Sequence, residues 1–162
     1  MVQIAKKQRL KSGLLILIGV ALAIAWVMFS ENHPETRFRM FFDNGALINV
    51  DVAVSPAALE RGLSGRSGLT ADEGMLFIFG EPGRHSFWMK DMEFAIDILW
   101  FNESCELIGL TEELSPASYP NIYSPPQPAK YVLETNLGWA KNHSVAPGQK
   151  FNCENLADWL KE

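Results

Sequence analysis

Two carboxylates set inside otherwise apolar strand patterns are the residues of this chain most able to do chemistry. Asp97 interrupts "RHSFWMKDMEFAIDILWF", residues 84–101, and Glu134 interrupts "YVLETNLGWA", residues 131–140. On an extended segment from 95 to 101, Asp97 shares a face with Ala95, Leu99 and Phe101, while Ile96, Ile98 and Trp100 take the other. Both faces are apolar, so this strand is expected to be buried on two sides. An unpaired carboxylate in such a place is costly to keep charged or takes up a proton. Such a group either ties backbone N–H groups of a loop to the sheet or serves as an acid, base or ligand-orienting group. Arg84, His85, Trp88 and Lys90 are the donors nearby in sequence. Asp97 and Glu134 together could form a glycosidase-like pair, which requires the two carboxyls about 5 to 9 Å apart in one cleft.

Trp88, followed by Met89 and Lys90, offers an aromatic face and a cation suited to a sugar or peptide, although a strand tryptophan more often packs in a core. Arg61 and Arg66 flank a glycine-rich loop, where solvated surface is the ordinary role. The candidate ligand-binding set is therefore Trp88, Lys90, Asp97, Glu134 and Arg61. No G-x-S-x-G, H-E-x-x-H, Walker or C-x-x-C pattern is present. His33, His85 and His143 are isolated, so neither a metal nor a cofactor is expected.

The elements that must position these residues follow an N-terminal segment of different character. Lys6, Lys7, Arg9 and Lys11 lie in a basic tail, residues 1–11, ahead of residues 12–29, which carry no charge. Eighteen residues make roughly 27 Å of helix, near the lower limit for crossing a bilayer core. The charge asymmetry predicts a transmembrane anchor or signal segment with the remainder outside the cytoplasm, periplasmic or extracellular. Small residues ending at Ala23 and Ala25 also permit cleavage, which would leave a secreted or periplasmic domain. Of fourteen basic residues four precede residue 30, whereas all nineteen acids follow it, which leaves the rest a formal charge of −9. Such a domain repels phosphates, and nucleic acid is not an expected partner. Cys105 and Cys153 are the only cysteines, and in an oxidising compartment they can pair; sequence leaves two buried thiols as the alternative.

Residues 30–37 read as a tether, and a single β-rich domain is expected over 38–162. Asp43-Asn44-Gly45 suits a hairpin turn, and Ser55-Pro56 suits an N-cap opening a short helix to about Leu63. Strands are predicted at 74–79, 86–89, 94–101, 105–110 and 130–135, with another after the Pro147-Gly148 turn and a capping helix at the C-terminus. Five of the nine prolines fall between Pro116 and Pro128, marking a long loop. Many short strands with Gly/Pro turns point to a mainly β fold, a compact sandwich or jelly-roll-like barrel with a few short helices.

"ERGLSGRSGL", "DEGMLFIF", "FWMKDMEFAIDILWF", "YVLETNLGWA" and "VAPGQKF", in that order and spacing over residues 52–151, resemble the bacterial and archaeal family catalogued as domain of unknown function 192. Asp91 stands where that family often has Asn, and Ser64 where it often has Met. The resemblance implies a compact β-rich domain of the sandwich or jelly-roll type, often behind an export signal, and implies no activity. The expected function is a membrane-anchored binding module for a small molecule, glycan or peptide in the cell envelope, without catalysis of its own. Its rivals are an envelope hydrolase or transferase using Asp97 and Glu134, and an accessory that docks an envelope protein through residues 116–128.

Overall fold

Alternating polarity decides the first strands: in β1, Arg37–Phe41, Phe38 and Met40 turn inward, and in β2, Leu47–Ala53, Ile48, Val50 and Val52 do the same. The computed structural model describes residues 37–160; the segments expected at 1–11 and 12–29, and all but the last residue of the tether, lie outside them. Among the described residues no helix is long and apolar enough to cross a membrane. The β1–β2 hairpin turns through Asn44, whose side-chain oxygen accepts from the Ala46 N–H at 2.9 Å.

Helix α1, Pro56–Arg61, starts as expected, with Ser55 Oγ accepting from the Ala58 N–H and proline in the first turn. It belongs to a crossover that returns the chain parallel to β2, a pairing no tight turn can make. Strand β3, Glu73–Gly83, is followed by a loop and then by the hairpin of β4, Ile96–Phe101, with β5, Leu107–Leu114. Strand β6, Ala129–Asn136, inserts between β3 and β4 and gives one mixed sheet of order β1-β2-β3-β6-β4-β5. Two short helices, α2 at Trp139–Asn142 and α3 at Glu154–Trp159, follow.

The fold is mainly β, as expected, but neither a closed barrel nor two packed sheets: a single six-stranded sheet covers its own faces with helices and loops. Phe38, Met40, Leu76, Leu99, Phe101 and Leu133 form a core on one face with Trp139, Phe151 and Leu156. Met75, Phe77, Ile98, Trp100 and Val132 form another on the opposite face with Leu63, Phe87 and Met89. All six residues of β4 are buried, which agrees with its two apolar faces.

Two expected strands are absent because covering the sheet takes precedence over extending it. Residues 86–89 lie in the loop after β3 and make one bridge, Phe87 with Tyr123, while the segment after Pro147-Gly148 makes only the bridges Phe42–Phe151 and Glu106–Lys150. The proline-rich segment is a cover: backbone bonds of 2.9 and 2.8 Å join Phe87 and Tyr123, and the Arg84 guanidinium donates to the carbonyls of Pro125 and Pro126 at 3.3 and 2.9 Å.

Cys105, in the β4–β5 turn, is joined by a disulfide to Cys153, 48 residues on and immediately before α3. A cross-link of that span restricts the unfolded chain by roughly 4 kcal/mol in the chain-entropy account. Cys153→Ser is accordingly expected to lower unfolding free energy by about 2–4 kcal/mol, read from the urea midpoint of the non-reduced protein. Reduction of the native protein should reproduce most of that loss.

Candidate functional site

Glu134 sits in the middle of β6, opposite Met75 of β3 on one side and Ile98 of β4 on the other. Its neighbour Gly74 is glycine for a steric reason: a Cβ there would come within 2.7 Å of the Glu134 carbonyl oxygen. Strand alternation turns the Glu134 side chain toward Phe77 and Val132, onto an aromatic part of the core. The residue is 5% exposed, and its Oε2 has no hydrogen-bond partner. Burial pushes the carboxyl up to about 8, against a smaller opposing pull from the Arg66 guanidinium. Arg66 is itself half-buried and paired with Asp51 at 2.6 Å, so it is not the solvated surface residue expected.

A cleft of about 400 Å³ opens above this carboxyl. Phe77, Phe79, Phe87 and Leu63 line it, with Trp88, Arg61, Ser64, His85 and Ser86 among the remaining lining residues. Phe77 and Phe87 meet edge to face with centroids 5.0 Å apart, and Phe79 stacks on His85 at 3.5 Å. These contacts hold the rings in place. Gly62 ends α1 at φ +52°, and a Cβ there would lie 3.1 Å from the Phe77 ring and 3.8 Å from Glu134 Oε2. A side chain at that point would be strained and would fill the space beside the acid.

Asp97 solves the same burial problem in the opposite way. It is fully buried, and its oxygens accept from the backbone N–H groups of Glu113 at 3.0 Å and Gly138 at 2.7 Å. The first donor lies on a bulge where Glu112 and Glu113 oppose it, with Glu113 at φ 60°, and the second opens the turn into α2. None of the side chains nearby in sequence is its donor. Asp97 alternates with Leu99 and Phe101 on one face of the sheet, whereas Glu134 alternates with Val132 on the other. The sheet therefore separates the two carboxyls, and they cannot act as a pair in one cleft.

The family model for DUF192, "Uncharacterized ACR", matches residues 40–153. The chain belongs to the DUF192 family. This match begins near the end of β1, earlier than the resemblance over 52–151, and so takes in the turn at Asn44 and all of β2. A suspected transcription regulator from Sinorhizobium meliloti 1021, known from its crystal structure, is 33% identical with a TM-score of 0.65, covering 72% of this chain and 91% of that one. A protein of unknown function from Novosphingobium aromaticivorans DSM 12444 shares the fold at 24% identity and a TM-score of 0.69, covering 74% of this chain and 89% of that one. No curated protein matches.

Of the residues singled out from the DUF192 sequence, Trp88, Arg61 and Glu134 line the cleft together, and Asp97 and Lys90 do not. Trp88 is 44% exposed because the buried Phe87 and Met89 on either side turn inward. Lys90 contributes backbone instead: Ser64 Oγ donates to its carbonyl at 2.9 Å, and the Gly65 N–H donates to the Asp91 carbonyl at 2.8 Å. Ser64 and Asp91 thus lie at adjacent contacts between the same two segments. Asp91 adopts φ 55°, a left-handed conformation that Asn and Asp tolerate better than most residues. Nothing local marks Phe77, Phe79, Phe87 or Gly62 as site residues; the run from Gly74 to Phe79 reads as buried strand, and which face of it borders a cleft is not written locally.

Asp97→Asn should cost about 1–3 kcal/mol, since an amide oxygen replaces only one of the two acceptor oxygens that the Glu113 and Gly138 N–H groups now meet; chemical denaturation measures this, and the cleft should be unaffected. For Glu134 the folded-state value lies above the ordinary 4.5, so the stability linked to its protonation is complete below pH 4.5 and is lost as pH rises toward 8. In melting curves from pH 5 to 8, wild type should lose stability relative to Glu134→Gln by up to roughly 1.4 kcal/mol per pH unit.

Proposed function

We propose that this DUF192 domain is a non-catalytic binding module that takes a small molecule, or the end of a glycan or peptide, into the cleft above Glu134. The observation that carries the reading is the unpartnered Oε2 of a carboxyl buried at the floor of an aromatic-walled cleft. An unsatisfied buried polar atom costs stability, and a ligand donor or acceptor placed there removes that cost. The aromatic walls supply apolar contact area, and the few convergent polar groups supply orientation.

The module is proposed to be membrane-anchored and to face out of the cytoplasm. Four basic residues ahead of the uncharged stretch 12–29 support that topology, and the Cys105–Cys153 disulfide suits an oxidising compartment. The formal charge of −9 after residue 30 argues against carrying over the regulator description of the Sinorhizobium meliloti relative as a DNA-binding role. A docking role for residues 116–128 keeps one support, the exposure of Tyr119 at 51% and Ile122 at 64% on a loop otherwise fastened to the domain.

A thermal-shift screen of envelope metabolites, short glycans and peptides tests the binding reading. A hit should raise the melting temperature of wild type. Trp88→Ala should weaken it about tenfold with little change in the unliganded protein, because half-exposed side chains contribute little to folding. Lys90→Ala, outside the cleft lining, should leave the affinity unchanged. Hits indifferent to Trp88 and Glu134 would place binding elsewhere and sink the proposal.

A further inference from the structure

The cleft's geometry discriminates among occupants by charge. Its buried floor carries an acid, Glu134, whereas the charged lining residues Glu60 and Arg61 are exposed at the end of α1. The same cleft is lined by the rings of Phe77 and Phe87, which meet edge to face, by Phe79, one face of which is covered by His85, and by the half-exposed Trp88. The face of an aromatic ring is its negative side and attracts a cation within about 6 Å of its centre. A ligand carboxylate would accept from the protonated Glu134 but would gain nothing from the quadrupoles of the rings, and would be repelled once the acid gives up its proton. A neutral hydroxyl would satisfy Oε2 but gain nothing from the ring quadrupoles. A cation gains from the rings and, once Glu134 gives up its proton, from the carboxylate, which it shares with the weaker pull of the Arg66 guanidinium. The acidic balance of the chain after residue 30 adds a weak long-range attraction of the same sign.

We propose, on the reading that the cleft is the binding site, that it receives the ammonium end of an alkyl amine, with Glu134 as the counter-charge and Phe77, Phe87 and Trp88 around the cationic head. The ammonium donates its N–H bonds to the Glu134 carboxylate, and the aliphatic stem lies along the apolar wall toward Leu63. In the empty cleft the acid holds its proton, for the reason of burial given above; an arriving cation makes the charged form the better one. Ammonium binding therefore expels the Glu134 proton to solvent, and the complex holds a carboxylate and a cation where the free protein held a neutral acid. Affinity for an amine should then strengthen as pH rises toward 8, since less of it is spent on deprotonation.

The test uses the full-length protein and three probes of equal stem length: n-hexylamine, n-hexanol and hexanoate, titrated calorimetrically at pH 6.5, 7 and 8.5. Hexylamine stays cationic throughout. At pH 8.5 it should bind one per chain, about tenfold tighter than hexanol, with hexanoate silent. At pH 7, titration in phosphate and in Tris should show release of close to one proton per amine bound. Glu134→Gln should abolish both the proton release and the amine preference while still melting cooperatively. If that variant does not fold, the proton count and probe order of the wild type decide alone. Hexanol binding as tightly as hexylamine, hexanoate binding best, or amine binding without proton release would each overturn the ammonium assignment. A Trp88-dependent response to any probe would leave the cleft standing as a binding site in those cases. If no probe binds, the ammonium assignment falls, and the metabolite screen judges the binding reading separately.

Discussion

A sheet covered on both faces leaves no solvent to satisfy the polar groups inside it, and much else in this domain follows from that constraint. β4 is buried along its whole length, and β6 beside it carries a buried acid. Each carboxyl must find donors, be neutralised or be left unsatisfied. Asp97 finds donors: two backbone N–H groups, one from the β5 bulge and one from the turn into α2, converge on it. A single side chain thereby fixes a bulge and a helix entrance that are 25 residues apart in the chain.

Glu134 takes the other course. The strand register puts it among Phe77, Val132 and Ile98, and no donor reaches its Oε2. The fold tolerates this because the carboxyl can remain protonated, and a neutral acid is far cheaper to bury than a charge. Retaining such a group where an apolar side chain would fit costs stability without adding any packing. Under the proposed binding role, a ligand that completes the hydrogen bonding would offset that cost, the usual logic by which stability is traded at functional positions.

The covering layer is as important as the sheet. The loop from Arg84 to Phe94 closes the face that carries the cleft, and the proline-rich segment fastens that loop through Phe87 and Tyr123 and through Arg84. Proline lowers the entropy lost on ordering such a segment, so irregular chain can serve as a fixed wall. The rings of Phe77, Phe87 and Trp100, held edge to face, keep little freedom of their own.

Local sequence was enough for the elements whose cause is local. The Ser55-Pro56 helix start, the turn at Asn44 and the apolar runs of β3, β4 and β6 come from capping, turn chemistry and residue type, and each needs no distant partner. The alternation that places Asp97 with Leu99 and Phe101 is local too. Tertiary structure decided what depends on register and crossover. Insertion of β6 between β3 and β4 put Asp97 and Glu134 on opposite faces, because a strand's side chains alternate and pairing fixes their parity. The crossover between β2 and β3 brought Gly62, at the end of α1, above Phe77 and the Glu134 acid, while the strand pairing made a single open sheet instead of a barrel and gave Asp97 donors 16 and 41 residues away. None of these could be read locally, since each contact joins segments whose own patterns say only that they are apolar, and apolar burial carries no direction.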